Sequence, residues 1–128
     1  MKHLLDTHTF IWMESDPDKL SSIVSTAIRD LNNTLLLSTA SVWEIQIKTQ
    51  TGKLKFPRLA SKIAARVQMQ QIQILPIELE HIFAIDQLPL LNHRDPFDRL
   101  LVAQALYQNW PILSHDPLIA QYPITTIW

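Results

Sequence analysis

KHLLDTHTF, residues 2–10, is an apolar run that stops on a charge. Residues 2–6 read as a short buried strand ending at Asp6, and THTF opens a helical turn with Thr7 or His8 placed to cap it. Similar short apolar runs recur at TLLLS (34–38), QILPI (73–77) and PILSHD (111–116), the last ending in Asp116, and PITTIW (123–128) adds a fifth strand at an edge. Strands this continuously apolar are buried on both faces, as in a parallel sheet covered by helices.

The segments between them carry helical spacing. After Ser15, Asp16 and Pro17, the apolar residues Leu20, Ile23, Val24, Ala27, Ile28 and Leu31 recur at three and four. SVWEIQIKTQTG starts at a Ser38 or Thr39 cap and stops at Gly52, and Pro57 starts an amphipathic helix within 56–71. ELEHIFAIDQL forms a short helix ending before Pro89. In DPFDRLLVAQALYQNW, Asp95 takes the N-cap and Pro96 the first helical position. Alternating strands and helices predict an α/β fold, with four to five parallel strands sandwiched between helices.

The 128 residues suffice for one domain, 1–128, with a single real core. No apolar stretch approaches the ~20 residues of a membrane span. The N-terminal apolar segment is too short for a signal peptide and contains Asp6. With no cysteine there is neither a disulfide framework nor a thiolate metal site, and a cytoplasmic location is the default expectation. A lone glycine, Gly52, excludes the glycine-rich phosphate loop and the dinucleotide fingerprint. The net charge of −1 conceals a segregated stretch: between Ile45 and Ile77 lie Lys48, Lys53, Lys55, Arg58, Lys62 and Arg66, and no acid. Such a stretch suits a polyanion such as RNA or an acidic protein, although a solvated helix face has the same composition.

The acids fall outside that window, and their positions matter. Asp6 and Asp116 end strands, Glu44 sits in the helix after the second strand, and Asp95 and Asp98 open the helix before the fourth. In an open parallel sheet, ligands bind beyond the carboxyl ends of the strands, so four segments bring carboxylates to one edge. Clustered carboxylates that stay ionised need a cation. Oxygen donors without cysteine or HxxxH spacing suit Mg²⁺ or Mn²⁺, which can activate water against a phosphodiester.

Each acid also has a structural explanation. Asp6 can cap the next turn, Glu44 can pair with Lys48 at i+4 on the surface, and Asp116 before Pro117 can form a turn. Ser114 can lend a hydroxyl to water or metal. His8, His93 and His115 each neighbour an acid; their spacing fits no zinc pattern, so hydrogen bonds to the carboxylates are expected. Of the tryptophans, Trp43, Trp110 and Trp128 suit core or interface positions, and Trp12 is the candidate for touching a partner.

LLDTHTFIW, STASVWEI, DPFDRLLVAQAL and ILSHD, in this order and spacing, resemble the PIN-domain family and most of all its VapC-type toxins. The resemblance spans nearly the whole chain. It implies a three-layer α/β/α ribonuclease that uses Mg²⁺ or Mn²⁺, forms a homodimer and is held inactive by a cognate antitoxin. The family acids fall on Asp6, Glu44, Asp98 and Asp116, and the extra Asp95 leaves the third ligand open. Lys48, Lys53, Lys55 and Arg58 are the candidate RNA contacts, with Ser114 beside them. Two rivals stand against a ribonuclease: a non-catalytic interaction module, and an aspartate-nucleophile phosphatase. The second wants an aspartate where His8 stands.

Overall fold

The computed structural model describes all 128 residues. Five parallel strands form one sheet: β1 (Lys2–Leu5), β2 (Thr34–Ser38), β3 (Gln73–Leu75), β4 (Ile112–Leu113) and β5 (Thr126–Ile127), in the order β3-β2-β1-β4-β5. The helices are α1 (Thr7–Ser15), α2 (Ser22–Arg29), α3 (Thr39–Gln50), α4 (Leu59–Gln68), α5 (Leu79–Ala84) and α6 (Pro96–Gln108), with three short 3₁₀ turns between them.

Alternation along the strands sends neighbouring side chains to opposite faces. Leu4, Leu36, Leu75 and Ile112 pack with Ala84, Leu101, Val102 and Ala105 from α5 and α6. Leu5, Leu35, Leu37 and Leu113 pack with Phe10, Val24, Ile45 and Leu59 from α1 to α4 on the other face. The result is the expected three-layer α/β/α sandwich.

The chain runs outward through β2 and β3, then returns to the far side of β1 for β4 and β5. The crossover direction therefore reverses between β1 and β4. A crevice opens at such a switch point, beyond the carboxyl ends of the strands. Asp6 N–H donates to Leu113 O at 3.1 Å, which sets Asp6 beside Ser114 at the head of that crevice.

Several boundaries differ from the sequence reading. The run from Leu20 to Leu31 is broken: residues 17–19 form a 3₁₀ turn, and α2 starts only after Ser21, whose hydroxyl accepts from Val24 N–H at 3.0 Å. Leu31 lies beyond α2 and is fully exposed. Pro57 does not begin α4; Arg58 at its N-cap is left-handed (φ 56°), and Phe56 drops into the core instead. Pro76, without an N–H to donate, ends β3 at Leu75. β4 is only two residues long, so Asp116 stands three residues past its end. α1 is a helix of nine residues rather than a turn, with Asp6 at its N-cap.

Candidate active site

Asp6 is only 3% exposed and makes no capping hydrogen bond through its side chain, although it holds the N-cap position. Its Oδ2 accepts from Ser114 Oγ at 2.7 Å, across the switch point. Ser114 Oγ also accepts from Asp116 N–H at 3.1 Å, so its hydroxyl is engaged on both sides. Burial, above all, pushes the Asp6 carboxyl above the usual carboxylate range, with the charge of Asp116 adding to the rise and the Ser114 bond opposing it. Capping is thus not what Asp6 does. Asp116 is partly exposed, and its Oδ1 accepts from Leu118 N–H at 2.9 Å, so the turn anticipated at Asp–Pro does form.

Glu44 is also 3% exposed, which removes the surface-pair explanation. Lys48 Nζ does donate to its Oε2 at 2.7 Å, one helical turn away. Its Oε1 lies 2.9 Å from Thr7 Oγ1, which is itself 2.9 Å from Ser41 Oγ. Thr7 donating to the carboxylate leaves its oxygen free to accept from Ser41. Thr7, the residue directly after Asp6, therefore ties the start of α1 to α3. The bond with Glu44 is the main reason that the Lys48 ammonium titrates above its ordinary range; Asp95 and Asp98 add to the effect.

The two aspartates of α6 have different partners. Asp95 Oδ1 accepts from Phe97 and Asp98 N–H at 2.9 and 3.1 Å, a full N-cap. It does not pair with Arg99, which reaches Pro89 O and the Tyr122 hydroxyl instead. Asp98 Oδ2 lies 3.0 Å from Nε2 of the buried His93. Burial first, then the charges of Asp95 and Asp6, raise the Asp98 carboxyl from 3.8 to about 7; His93 opposes the rise and Glu44 adds to it. An edge contact between Trp43 and Phe97, 5.0 Å between ring centroids, braces α3 against α6 beside these acids.

Asp6, Glu44, Asp95 and Asp98 thus share one electrostatic field at the switch point, and Asp116 adjoins Asp6. The donor chemistry fits a hard divalent ion, because the acids offer only oxygen donors, and burial together with the neighbouring charges already holds Asp98 near 7. The side chains do not form a closed ligand shell: no three of them converge on one point, since Glu44 is bound to Lys48 and Asp98 to His93.

The other anticipated residues are more dispersed. Lys53, Lys55 and Arg58 are exposed on the segment between α3 and α4. Arg66 pairs with Glu14 at 2.7 Å, and Lys62 lies over the Phe56 ring at 4.6 Å. Of the three histidines, only His93 bonds an acid. His8 contributes its charge to Asp6, and His115 packs on Trp128. Thr7 and Ser41 were not anticipated as site residues. Their signal, a hydroxyl beside each strand-end acid or early in α3, is too common to stand out.

Substituting Asp95 separates its two effects. Asp95→Asn keeps the cap and removes a charge, so the Asp98 carboxyl should titrate lower, as read by NMR of its side-chain carbon. Asp95→Ala loses the cap as well and should cost about 1 kcal/mol of stability relative to Asp95→Asn. An unmoved Asp98 titration in both variants would show that the two carboxylates do not interact.

Comparison with known proteins agrees with this architecture. Sequence comparison with curated proteins gives no match. A chain of VapBC2 from Rickettsia felis, solved bound to a DNA fragment from their promoter, superposes with a TM-score of 0.72 at 15% identity, covering 99% of this chain and 98% of that one. A chain of FitAcB from Neisseria gonorrhoeae gives 0.57 at 16% identity, covering 100% and 97%. At that identity the likeness is one of fold. The PIN domain family model matches residues 3–124, nearly the whole chain, and the protein therefore belongs to the PIN domain family.

Proposed function

We propose that the protein is a Mg²⁺- or Mn²⁺-dependent endoribonuclease, the toxin of a toxin–antitoxin pair. The observation that carries the reading is the group of carboxylates gathered at the β1/β4 switch point, where burial and their mutual charge hold Asp98 near 7. Membership of the PIN family and the likeness in fold to VapBC2 support it.

Asp6, Glu44, Asp98 and Asp116 would hold one or two divalent ions, with Asp95 as a further candidate. When bound, such an ion supplies charge neutralisation at a phosphodiester and acidifies water. The chain's own residues do the rest. Ser114 fixes one oxygen of Asp6 and Thr7 one oxygen of Glu44, while His93 holds Asp98; no acid then has to find its rotamer when the ion and substrate arrive. Lys48 balances part of the charge and stands close enough to the acids to pair with an incoming phosphate. Lys53, Lys55 and Arg58, exposed just past α3, would hold the RNA backbone. Leu79, Ile82 and Phe83 leave an apolar face of α5 exposed, which suits a homodimer interface. No helix is long and apolar enough to cross a membrane, and a cytoplasmic location fits an enzyme that acts on RNA.

Purified protein incubated with mixed RNA should cleave it with Mg²⁺ or Mn²⁺ and not with EDTA. Cleavage that persists in EDTA would refute the metal dependence. Expression should arrest growth, and co-expression of a small neighbouring-gene product should relieve the arrest.

A further inference from the structure

The crevice beside Asp6 has a wall that the acid chemistry leaves unused. A cleft of about 250 Å³ is lined by Asp6, His8, Trp12, His115, Asp116 and Pro117. His8 and Trp12 stand one turn apart on α1, with ring centroids 5.8 Å apart. Trp128, just past β5, meets Trp12 edge-on at 5.6 Å, and His115 packs on Trp128 at 5.2 Å. Four rings from three segments therefore run in series, and three of them, His8, Trp12 and His115, line the cleft with Asp6 and Asp116. Lys19 Nζ lies 5.7 Å from the centre of the Trp12 ring.

We propose that Trp12, which shares its cleft with His8 and His115, is a stacking subsite for a nucleobase adjoining the scissile phosphate of single-stranded RNA. This deepens the ribonuclease reading and rests on it. A base and its phosphate are joined through one sugar, so a base subsite has to adjoin the phosphate subsite. Asp6 and Asp116 line the same cleft as the rings. The cleft is smaller than the ~300–1,000 Å³ typical of drug-sized ligands, a scale that suits a single planar ring system. Its non-acidic wall is aromatic, with Pro117 the only other apolar side chain and no Leu, Ile, Val or Met. A docked protein helix would find no aliphatic surface to seat its anchors, whereas every base offers a π-face. In a duplex those faces are already stacked, so the subsite selects single strands. Trp12 is partly exposed, so the core does not use up its surface, and Lys19 beside it can meet a neighbouring phosphate.

The test measures anisotropy of a short labelled RNA strand in EDTA, and kcat and KM of cleavage with Mg²⁺. Trp12→Leu should weaken single-strand binding about tenfold or more. Its KM should rise by more than kcat falls, and Trp12→Phe should recover most of the loss. Binding of a duplex of the same sequence should change little. His8→Ala and His115→Ala, at exposed positions that the fold does not need, should each weaken binding a few-fold, and they carry the test if Trp12→Leu does not fold. Unchanged RNA affinity in all the wall variants, while the wild type cleaves RNA, would overturn the subsite and leave the nuclease standing. Wall-dependent RNA binding by a wild type that cleaves nothing would keep the subsite and remove the nuclease. Wall variants that lose a protein partner but keep RNA affinity would assign the cleft to that partner and overturn the proposal.

Discussion

Asp6→Asn is expected to cut RNA cleavage by about 10³-fold while the metal-free protein melts no lower than the wild type. The first half follows from the loss of a charged ligand. A divalent ion contributes several kcal/mol to a phosphoryl-transfer transition state, and about 4 kcal/mol corresponds to roughly three decades in rate. The second half follows from burial. At 3% exposure the ionised carboxylate is costly, as its raised titration shows, and asparagine removes that cost. The amide oxygen can still accept from Ser114, so the bond across the switch point survives. Ser114→Ala leaves the charge and loosens it, and should cost only about 10- to 100-fold. Single-turnover cleavage and thermal melting of both variants decide the matter. A purely structural Asp6 would lower the melting temperature and leave the rate of the surviving folded protein within a few-fold of wild type.

The local part of this site was legible in the sequence, and the cross-chain part was not. LLD at 4–6 shows an apolar strand stopped by a charge, and the charge can be placed at a sheet edge because parallel strands share their polarity. DPFD gives its cap by position alone: Asp95 accepts from Phe97 and Asp98 N–H, as a residue at N-cap should. The reach of Thr7 to Glu44 spans 37 positions and that of Ser114 to Asp6 spans 108, and no local pattern encodes either. The same holds for charge. Glu44–Lys48 looks like an ordinary surface pair at i+4, and only the packing of α3 under Thr7 and against α6 makes Glu44 a buried acid. Element boundaries failed where two local signals compete. Pro17 and Ser21 both offer a helix start, and the serine hydroxyl, free to accept from Val24 N–H, wins. The binary pattern decided the layers because Leu4 and Leu5, or Leu36 and Leu37, must face opposite sheet surfaces whatever the loops do.

The other large expected effect is a divergence in stability with rising pH on replacing Asp98 with asparagine. In the folded protein the Asp98 carboxyl titrates near 7, against 3.8 when unperturbed, so the native state holds this proton more tightly than the unfolded chain. The stability it contributes is complete below about pH 4 and is lost progressively as pH rises to about 7. The interval corresponds to an upper limit on the order of 4 kcal/mol. Asparagine does not titrate, so metal-free Asp98→Asn should show a flatter profile of melting temperature between pH 4 and 8. At pH 4–5, where the carboxyl is as neutral as the amide, the two proteins should be about equally stable. At pH 8 the variant should be the more stable by about 1–2 kcal/mol, its weaker bond to His93 offsetting part of the gain. Saturating Mg²⁺ or Mn²⁺ should reverse the order at pH 8. An ion at a hundred times its dissociation constant adds about 2.7 kcal/mol to the wild type and little to a variant that lacks a charged ligand. Protons compete for the same oxygens, so the stabilisation by the ion should fade by pH 6. Parallel profiles for the two proteins without metal would mean that Asp98 is not the strained acid. A stability gap at pH 8 that the ion fails to reverse would mean that the strain is relieved by protonation alone, and the carboxylates would then have to be explained without a cation.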